Sequence, residues 1–318
     1  MKALQFSTYG APSVLEYKEL PRPEPGAGEV LVQVRAAGIN PSDVKNVAGH
    51  FKSALPRVPG RDYAGVVVSG AAQAGLEVWG TGAGFGVTRD GAHAEWVVVP
   101  AGGISAKPKK LTMEQAAASG VPYLTAWCSL IRAGKLQARE TVLVIGVSGA
   151  VGRAATQIAH WKAARVIGAS THDGNPSQAD AVVNTKTQDL AAEVRALTAG
   201  KGADLVLDTV GGPMFEAALK SLRRGGRQIA ISSPKERRVN FDLIDFYHNE
   251  SQLIGVDTAK LTGPEIAEVM NSLRTGFDEG YLQAAAVNTW PLERGVAAYE
   301  VVEKGGATAR QVLVPAKT

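Results

Sequence analysis

The stretch VLVIGVSGAVGRAATQIA, residues 142–159, constrains the fold more than any other part of the chain. An apolar run ends at Gly146, glycine recurs at Gly149 and Gly152, and an amphipathic helical pattern follows at once. Gly146 permits a tight turn off a strand, Gly149 lets the backbone approach a pyrophosphate, and Gly152 lets the helix pack on the sheet. Amides at the helix start, with the dipole behind them, would stabilise the anion. On this reading Gly146, Ser148, Gly149, Ala150, Val151 and Gly152 contact a dinucleotide. The competing readings are a glycine turn that serves packing alone, or a site for another nucleotide-like ligand such as S-adenosylmethionine.

The surroundings favour the dinucleotide. From about residue 115, strand candidates TVLVIG (141–146), ARVIGAS (164–170), DAVVN (180–184), ADLVLDT (203–209), GRQIAIS (226–232) and SQLIGV (251–256) alternate with helical patterns. The helical patterns are AVGRAATQIAHWKA, QDLAAEVRALTA and PMFEAALKSLRR. Such alternation predicts an α/β unit, a doubly wound parallel sheet with helices on both faces, and six strands match the size of a Rossmann dinucleotide fold. Ligands of such sheets lie at the carboxyl ends of the strands, which adds Asp208, Val210, Ser232, Ser233, Gly255 and Val256. Phe246-Tyr247-His248 is expected as a loop over the adenine side.

The second strand ends in Ser170, Thr171 and His172, where NAD sites place an Asp or Glu for the ribose hydroxyls. Hydroxyls without a carboxylate tolerate a 2′-phosphate, so NADPH is the expected cofactor. NADH stays as the alternative, because no Arg or Lys follows until Lys186.

Before residue 115, short strand-like runs (EVLVQVRAAGI, DYAGVVVSG, LEVWG, AHAEWVVVP) separated by Gly and Pro turns predict a compact β-barrel or sandwich. His93 in GAHAEW is expected as a strand residue. After 262, a helix, a strand-like AAAVNTW, a second helix and RQVLVP are expected to fold back onto the N-terminal domain. The expected boundaries are 1–117, 118–261 and 262–318. With 20% charged residues and a net charge of +4, dispersed rather than clustered, no nucleic-acid footprint forms. One cysteine, Cys128, excludes an internal disulfide and a multi-cysteine zinc site. No run is apolar enough to span a membrane, and MKALQFSTYG lacks a signal-peptide core, so a cytoplasmic protein is expected.

The stretch AGINPSDVKNVAGHF, residues 37–51, reads two ways. Asn40, Asp43 and Lys45 are catalytic candidates, and the same residues are ordinary turn and helix-cap chemistry. Lys45 and His50 are either proton donors or solvated loop side chains.

The chain resembles the medium-chain dehydrogenase/reductase superfamily, and within it the zinc-free quinone oxidoreductase branch. The matching residues run in order: Ala11-Pro12-x-Val14-Leu15-x-Tyr17, Gly28-Glu29-Val30-Leu31-Val32, Ala37 to Asp43, and Pro59-Gly60-Arg61-Asp62-Tyr63-Ala64-Gly65. Tyr123-Leu124-Thr125-Ala126-Trp127, the glycine turn, Asp208-Thr209-Val210-Gly211-Gly212 and Val312-Leu313-Val314-Pro315 complete the set. The resemblance implies a GroES-like β-barrel catalytic domain built from both termini, with the Rossmann domain inserted. It implies NAD(P)H-dependent reduction of a quinone or activated enone in an interdomain cleft, with Thr125 near the nicotinamide, in a homodimer or homotetramer. Zinc alcohol dehydrogenases of the superfamily carry Cys where this chain has Asn40 and His-Glu where it has Arg61-Asp62, so no zinc is expected. Phe51 stands where related enoyl reductases place a proton-donating Tyr, so an enoyl-thioester reductase with that mechanism is not expected; Lys45 or His50 could donate instead, or a quinone could take its proton from water. Alcohol or aldehyde dehydrogenase activity, and a crystallin-like or RNA-binding use of the fold, are the rival functions. The segment between the second and third Rossmann strands is shorter than usual for the family, and Gly174-Asn175-Pro176 interrupts it.

Overall fold

The computed structural model describes residues 1–175, 177–233 and 236–316, so Pro176 lies outside the described residues. The chain divides into two compact units, Met1–Leu124 with Ala259–Thr318, and Thr125–Thr258.

The first unit opens with strands β1 (Lys2–Phe6), β2 (Leu15–Glu19) and β3 (Glu29–Gly38), and then helix α1 (Pro41–Val47). Strands β4 (Asp62–Gly70), β5 (Glu77–Gly80), β6 (Trp96–Pro100) and β7 (Ser105–Ala106) follow, before helix α2 (Met113–Ala118) and helix α3 (Gly120–Trp127), whose residues from Thr125 on count with the second unit. Val30, Val32 and Val34 alternate along β3 and share one buried cluster with Tyr63, Val67, Val97 and Val99, the two-residue period of a strand with one face inward. Helix α1 starts where its sequence says it should. Asn40 is extended, Pro41 occupies the first turn, and the Asp43 carboxylate accepts a hydrogen bond from the Asn40 amide at 2.8 Å. His93 departs from expectation: β6 begins only at Trp96, and His93 sits in a buried bend before it.

The second unit holds β8 (Thr141–Ile145), α4 (Ala150–Trp161), β9 (Arg165–Ser170), β10 (Ala181–Asn184), α5 (Leu190–Leu197) and β11 (Ala203–Asp208). Helix α6 (Phe215–Lys220), β12 (Leu222–Ala230), α7 (Leu243–His248) and β13 (Gln252–Gly255) complete it. The strands are parallel in the order β10-β9-β8-β11-β12-β13. Counted within the unit this is 3-2-1-4-5-6, the Rossmann order, whose ligand crevice lies at the carboxyl ends of the paired strands β8 and β11, where the strand order reverses. Val142, Leu143 and Val144 are fully buried, as a central parallel strand covered on both faces requires.

Two expectations fail locally here. The pattern PMFEAALKSLRR does not stay helical to Arg224: α6 ends at Lys220, and Leu222, fully buried and paired with Ala203, starts β12. Leu222 suits either period, and the strand pairing decides. Phe246-Tyr247-His248 is helix rather than loop, because the Asp242 carboxylate caps the amides of Ile244 and Asp245 at 2.8 and 3.2 Å. Among the described residues no helix joins β9 to β10. The Asn175 amide ties that turn together, donating to the Ala179 carbonyl and accepting from the Ala179 amide and the Ser177 hydroxyl.

The C-terminal segment adds α8 (Gly263–Glu279), β14 (Val287–Pro291), α9 (Gly295–Lys304) and β15 (Arg310–Val314) to the first unit. Its sheet runs β14-β15-β3-β4-β5-β7, with β6 also paired to β3. Register fixes the geometry that matters. Gly38 of β3 faces Asp62 of β4 on one side and Val312 of β15 on the other. Asn40, just past the end of β3, therefore meets Arg61-Asp62 at the start of β4 and Arg310 at the start of β15.

Candidate functional site

At this sheet end the first unit buries a compact cluster of polar groups. Asn40, Asp43 and Asp62 are all at most 2% exposed. The Asn40 side chain is spent on both ends: Nδ2 donates to Asp62 Oδ2 at 2.9 Å, and Oδ1 accepts from Arg310 Nη2. Asp62 also accepts from the Val121 amide at 3.0 Å. Asp43 Oδ1 lies 3.8 Å from Arg61 Nε, while the guanidinium of Arg61 stacks on the Phe51 ring at 4.9 Å. Burial pushes the Asp62 carboxyl up to about 6, against the hydrogen bond from Asn40, which lowers it, and the nearby Asp43 charge adds to the rise. Burial also raises Asp43, opposed by the Arg61 charge. Burial lowers Arg310, opposed by Asp62 and Asp43. Nε and Nη2 of Arg61 are shut off from solvent and make no hydrogen bond among the described residues. Each unpaired buried donor costs about 1–3 kcal/mol.

Two of the three catalytic candidates from the sequence thus belong to one buried network. The third, Lys45, sits half-buried on α1. Arg310 escaped sequence reasoning altogether, and Arg61 was read only as a residue hostile to zinc. No local signal marks Arg310, because only the pairing of β15 with β3 brings it to Asn40. Among the described residues no group of three or more His, Cys, Asp or Glu side chains could hold a metal ion.

His93 lies close to this cluster without joining it. Its Nε2 is 3.2 Å from the Gly38 carbonyl and its Nδ1 is 2.8 Å from the Tyr299 hydroxyl, which assigns the proton to Nε2 and makes Nδ1 the acceptor. Burial holds the imidazole down at about 4, so it is neutral at pH 7. This is a packed hydrogen-bond chain. Replacing Tyr299 with Phe is expected to cost about 1–3 kcal/mol in urea denaturation, because it strands the Nδ1 acceptor.

In the second unit the glycine turn has the geometry its sequence implies. Gly146 has φ of +77°, and a Cβ there would fall 2.3 Å from Thr209 Oγ1, whose hydroxyl donates to the Ile145 carbonyl at 2.7 Å. Gly149 is exposed and caps α4, so Ala150 and Val151 are its first helical residues. A Cβ on Gly152 would stand 2.4 Å from the Gly146 carbonyl oxygen. The Ser148 hydroxyl lies 3.2 Å from that of Ser170 at the end of β9, and exposed Thr171 follows with its hydroxyl 3.1 Å from His172 Nδ1. Asp208 Oδ1 accepts from the Val210 and Gly211 amides at 3.0 and 2.8 Å, while burial raises its carboxyl. Val210 is exposed, and Ser232 and Ser233 are half-buried just past β12. Gly255 closes β13, and the Val256 amide donates to the Ala230 carbonyl at 3.1 Å. Thr125 lies half-buried in α3. Beyond Ser170 the sequence offers no Arg or Lys before Lys186. Arg153, directly after Gly152, donates from Nε to the Ser148 carbonyl at 2.9 Å and so lies beside the glycine turn.

Comparison with known proteins accords with both units. Residues 26–109 match the family described as "Alcohol dehydrogenase GroES-like domain", and residues 150–274 match "Zinc-binding dehydrogenase". A Schizosaccharomyces pombe zinc-type alcohol dehydrogenase-like protein is 36% identical over 288 residues, covering 88% of this chain and 86% of that protein. Human quinone oxidoreductase is 30% identical over 323 residues, covering 99% and 98% respectively. Among solved structures, a mycobacterial protein complexed with NADPH superimposes with a TM-score of 0.87 at 27% identity, covering 99% of this chain and 100% of that one.

Proposed function

Because the chain belongs to the medium-chain dehydrogenase/reductase superfamily, in its quinone oxidoreductase branch, we propose that it is a zinc-independent, NADPH-dependent oxidoreductase that reduces a quinone or an activated enone. The arrangement around Asn40 carries this reading. Zinc members bind their metal with Cys and His-Glu at these positions, whereas Asn40 spends both polar ends on Asp62 and Arg310, and Arg61 adds a second cation nearby. A dication would stand against two guanidinium groups with no thiolate or imidazole to hold it, so this donor set does not fit zinc. Without a Lewis acid, alcohols and simple ketones are poor substrates, and an acceptor that delocalises incoming charge is favoured.

The glycine turn suits a nicotinamide dinucleotide, which when bound supplies the hydride. Gly149, Ala150 and Val151 would hold the pyrophosphate, and Ser148, Ser170 and Thr171 would face the adenosine ribose. The absence of a carboxylate at Ser170 and Thr171 supports NADPH over NADH.

The test mixes purified protein with NADPH or NADH and a panel of quinones, enones and aldehydes, and separately with NADP+ or NAD+ and a panel of alcohols, while cofactor absorbance is followed with and without a chelator. Oxidation of NADPH by quinones or enones, insensitive to the chelator, is expected. Alcohol oxidation that requires added zinc would refute zinc independence.

A further inference from the structure

Arg153 stands where a cation is costly unless an anion joins it. It lies in the first turn of α4, at the positive end of the helix dipole, and no acidic residue shares that turn. The side chain is half-buried, and its hydrogen bond runs from Nε to the Ser148 carbonyl at 2.9 Å. Among the described residues both Nη atoms stay without a partner. Arg223, Arg224 and Arg227 of the same unit are instead each paired with a carboxylate, Asp204, Glu250 and Glu140 respectively.

The tether of Arg153 ends beside the hydroxyls that close β9. Ser148 Oγ lies 3.2 Å from Ser170 Oγ, which accepts from the His172 amide at 3.1 Å, and the exposed Thr171 hydroxyl follows. The two acids of the β9–β10 turn are engaged elsewhere. Asp173 accepts from Asn184 Nδ2 at 2.7 Å, and Asp180 accepts from the Val166 amide at 2.6 Å and lies 3.1 Å from His160 Nε2. The region is open to solvent, with a cleft of about 280 Å³ beginning at His172. A guanidinium and three hydroxyls with no competing acid suit a phosphate monoester, which the planar fork of arginine can hold through two bonds. All of these residues belong to the second unit.

We infer that Arg153 binds the 2′-phosphate of NADPH and so sets the cofactor preference, in place of a basic residue after β9. The inference rests on the dinucleotide reading of the glycine turn above. The bond from Nε to Ser148 fixes the fork in advance, which leaves Nη1 and Nη2 for phosphate oxygens. The Ser170 and Thr171 hydroxyls are further donors. NADH carries a hydroxyl where NADPH carries this phosphate and gains nothing from the cation.

Calorimetric titration of the full chain with NADPH, NADH, adenosine 2′,5′-bisphosphate and 5′-AMP tests this without turnover. Wild type is expected to hold NADPH and the bisphosphate at least about tenfold more tightly than NADH and 5′-AMP. Arg153→Gln is expected to lose about 10- to 100-fold in affinity for the phosphorylated pair, the range for a charge-assisted contact, and less than about threefold for the other pair. Arg153→Lys, which keeps the charge but not the planar fork, should fall between wild type and R153Q. Added salt should weaken wild-type binding of the bisphosphate more than that of R153Q. A role confined to holding the Ser148 turn would weaken both pairs alike. Equal losses for both pairs in R153Q, or a preference for the phosphorylated pair that R153Q keeps, overturns the inference alone. Wild-type protein that binds neither dinucleotide overturns the proposed function, and wild type with no preference overturns its NADPH reading together with this inference; both are visible before any variant is made.

Discussion

Leucine in place of Gly149 is expected to lower NADPH affinity by about 100-fold or more, equivalent to ~2.7 kcal/mol, while leaving the melting temperature nearly unchanged. The two readouts separate because of where a side chain would go. Gly149 is exposed with φ of −73°, a conformation any residue adopts, and a Cβ there would meet only the Gly146 carbonyl oxygen at 3.2 Å. That single contact is tight and asks the oxygen to give by a few tenths of an ångström, a small cost to the fold beside the loss of binding. The pyrophosphate would be shut out, because the added atoms stand before the amides that open α4. Gly152 is the control. A Cβ there would lie 2.4 Å from the Gly146 oxygen and 2.6 Å from Val147 Cα, both backbone atoms. Gly152→Val should lose about 1–3 kcal/mol of stability by overpacking, and binding should fall along with it. Titration with NADPH beside thermal melting distinguishes the two. Wild-type affinity in the Gly149→Leu protein would remove the pyrophosphate from this turn.

The second unit was legible because its signals are local. A glycine turn, buried apolar strands and amphipathic helices each declare themselves within a dozen residues, and their alternation fixes the sheet type. Misreadings occurred where a residue satisfies two patterns. Leu222 continues the helical period of α6 and also fills a core site beside Ala203, and the long-range pairing prevailed. The polar end of the second strand, Ser170-Thr171-His172, could be named from sequence, whereas the contact from Arg153 of α4 back to the Ser148 carbonyl appears only in the turn's geometry. The buried cluster was half-legible for the same reason. The Asn40-Pro41-x-Asp43 cap lies in one stretch, whereas the contact from Arg310 to Asn40 spans 270 residues and exists only through strand register. The resemblance pointed to Asn40 and Arg61 by what they replace, and the structure adds what they touch.

Asp62 and His93 are expected to oppose each other as pH changes, and removing either should expose the other. Burial raises Asp62 to about 6 from an ordinary value near 3.8. Between those values the folded chain keeps a proton that the unfolded chain has released, so this group's contribution to stability falls as pH rises, by about 3 kcal/mol in all. Asp43, also raised by burial, acts in the same direction. Burial lowers His93 to about 4 from 6.5, so between these values the unfolded chain binds a proton that the folded chain refuses. Its contribution therefore rises with pH, again by about 3 kcal/mol. From pH 4 to 6 the two nearly cancel in the wild type. Relative to wild type, Asp62→Asn should gain stability as pH rises through that window, and His93→Gln should lose it. Urea denaturation at pH 4, 5, 6 and 7 measures both differences, and background titrations elsewhere drop out of the comparison. Variant and wild-type curves that stay parallel would mean that neither group titrates as its burial demands. Divergence in the stated directions would show that the sheet end bearing Asn40 contains a carboxylate and an imidazole whose opposite burial penalties keep the first unit's stability level while the charge on Asp62 changes.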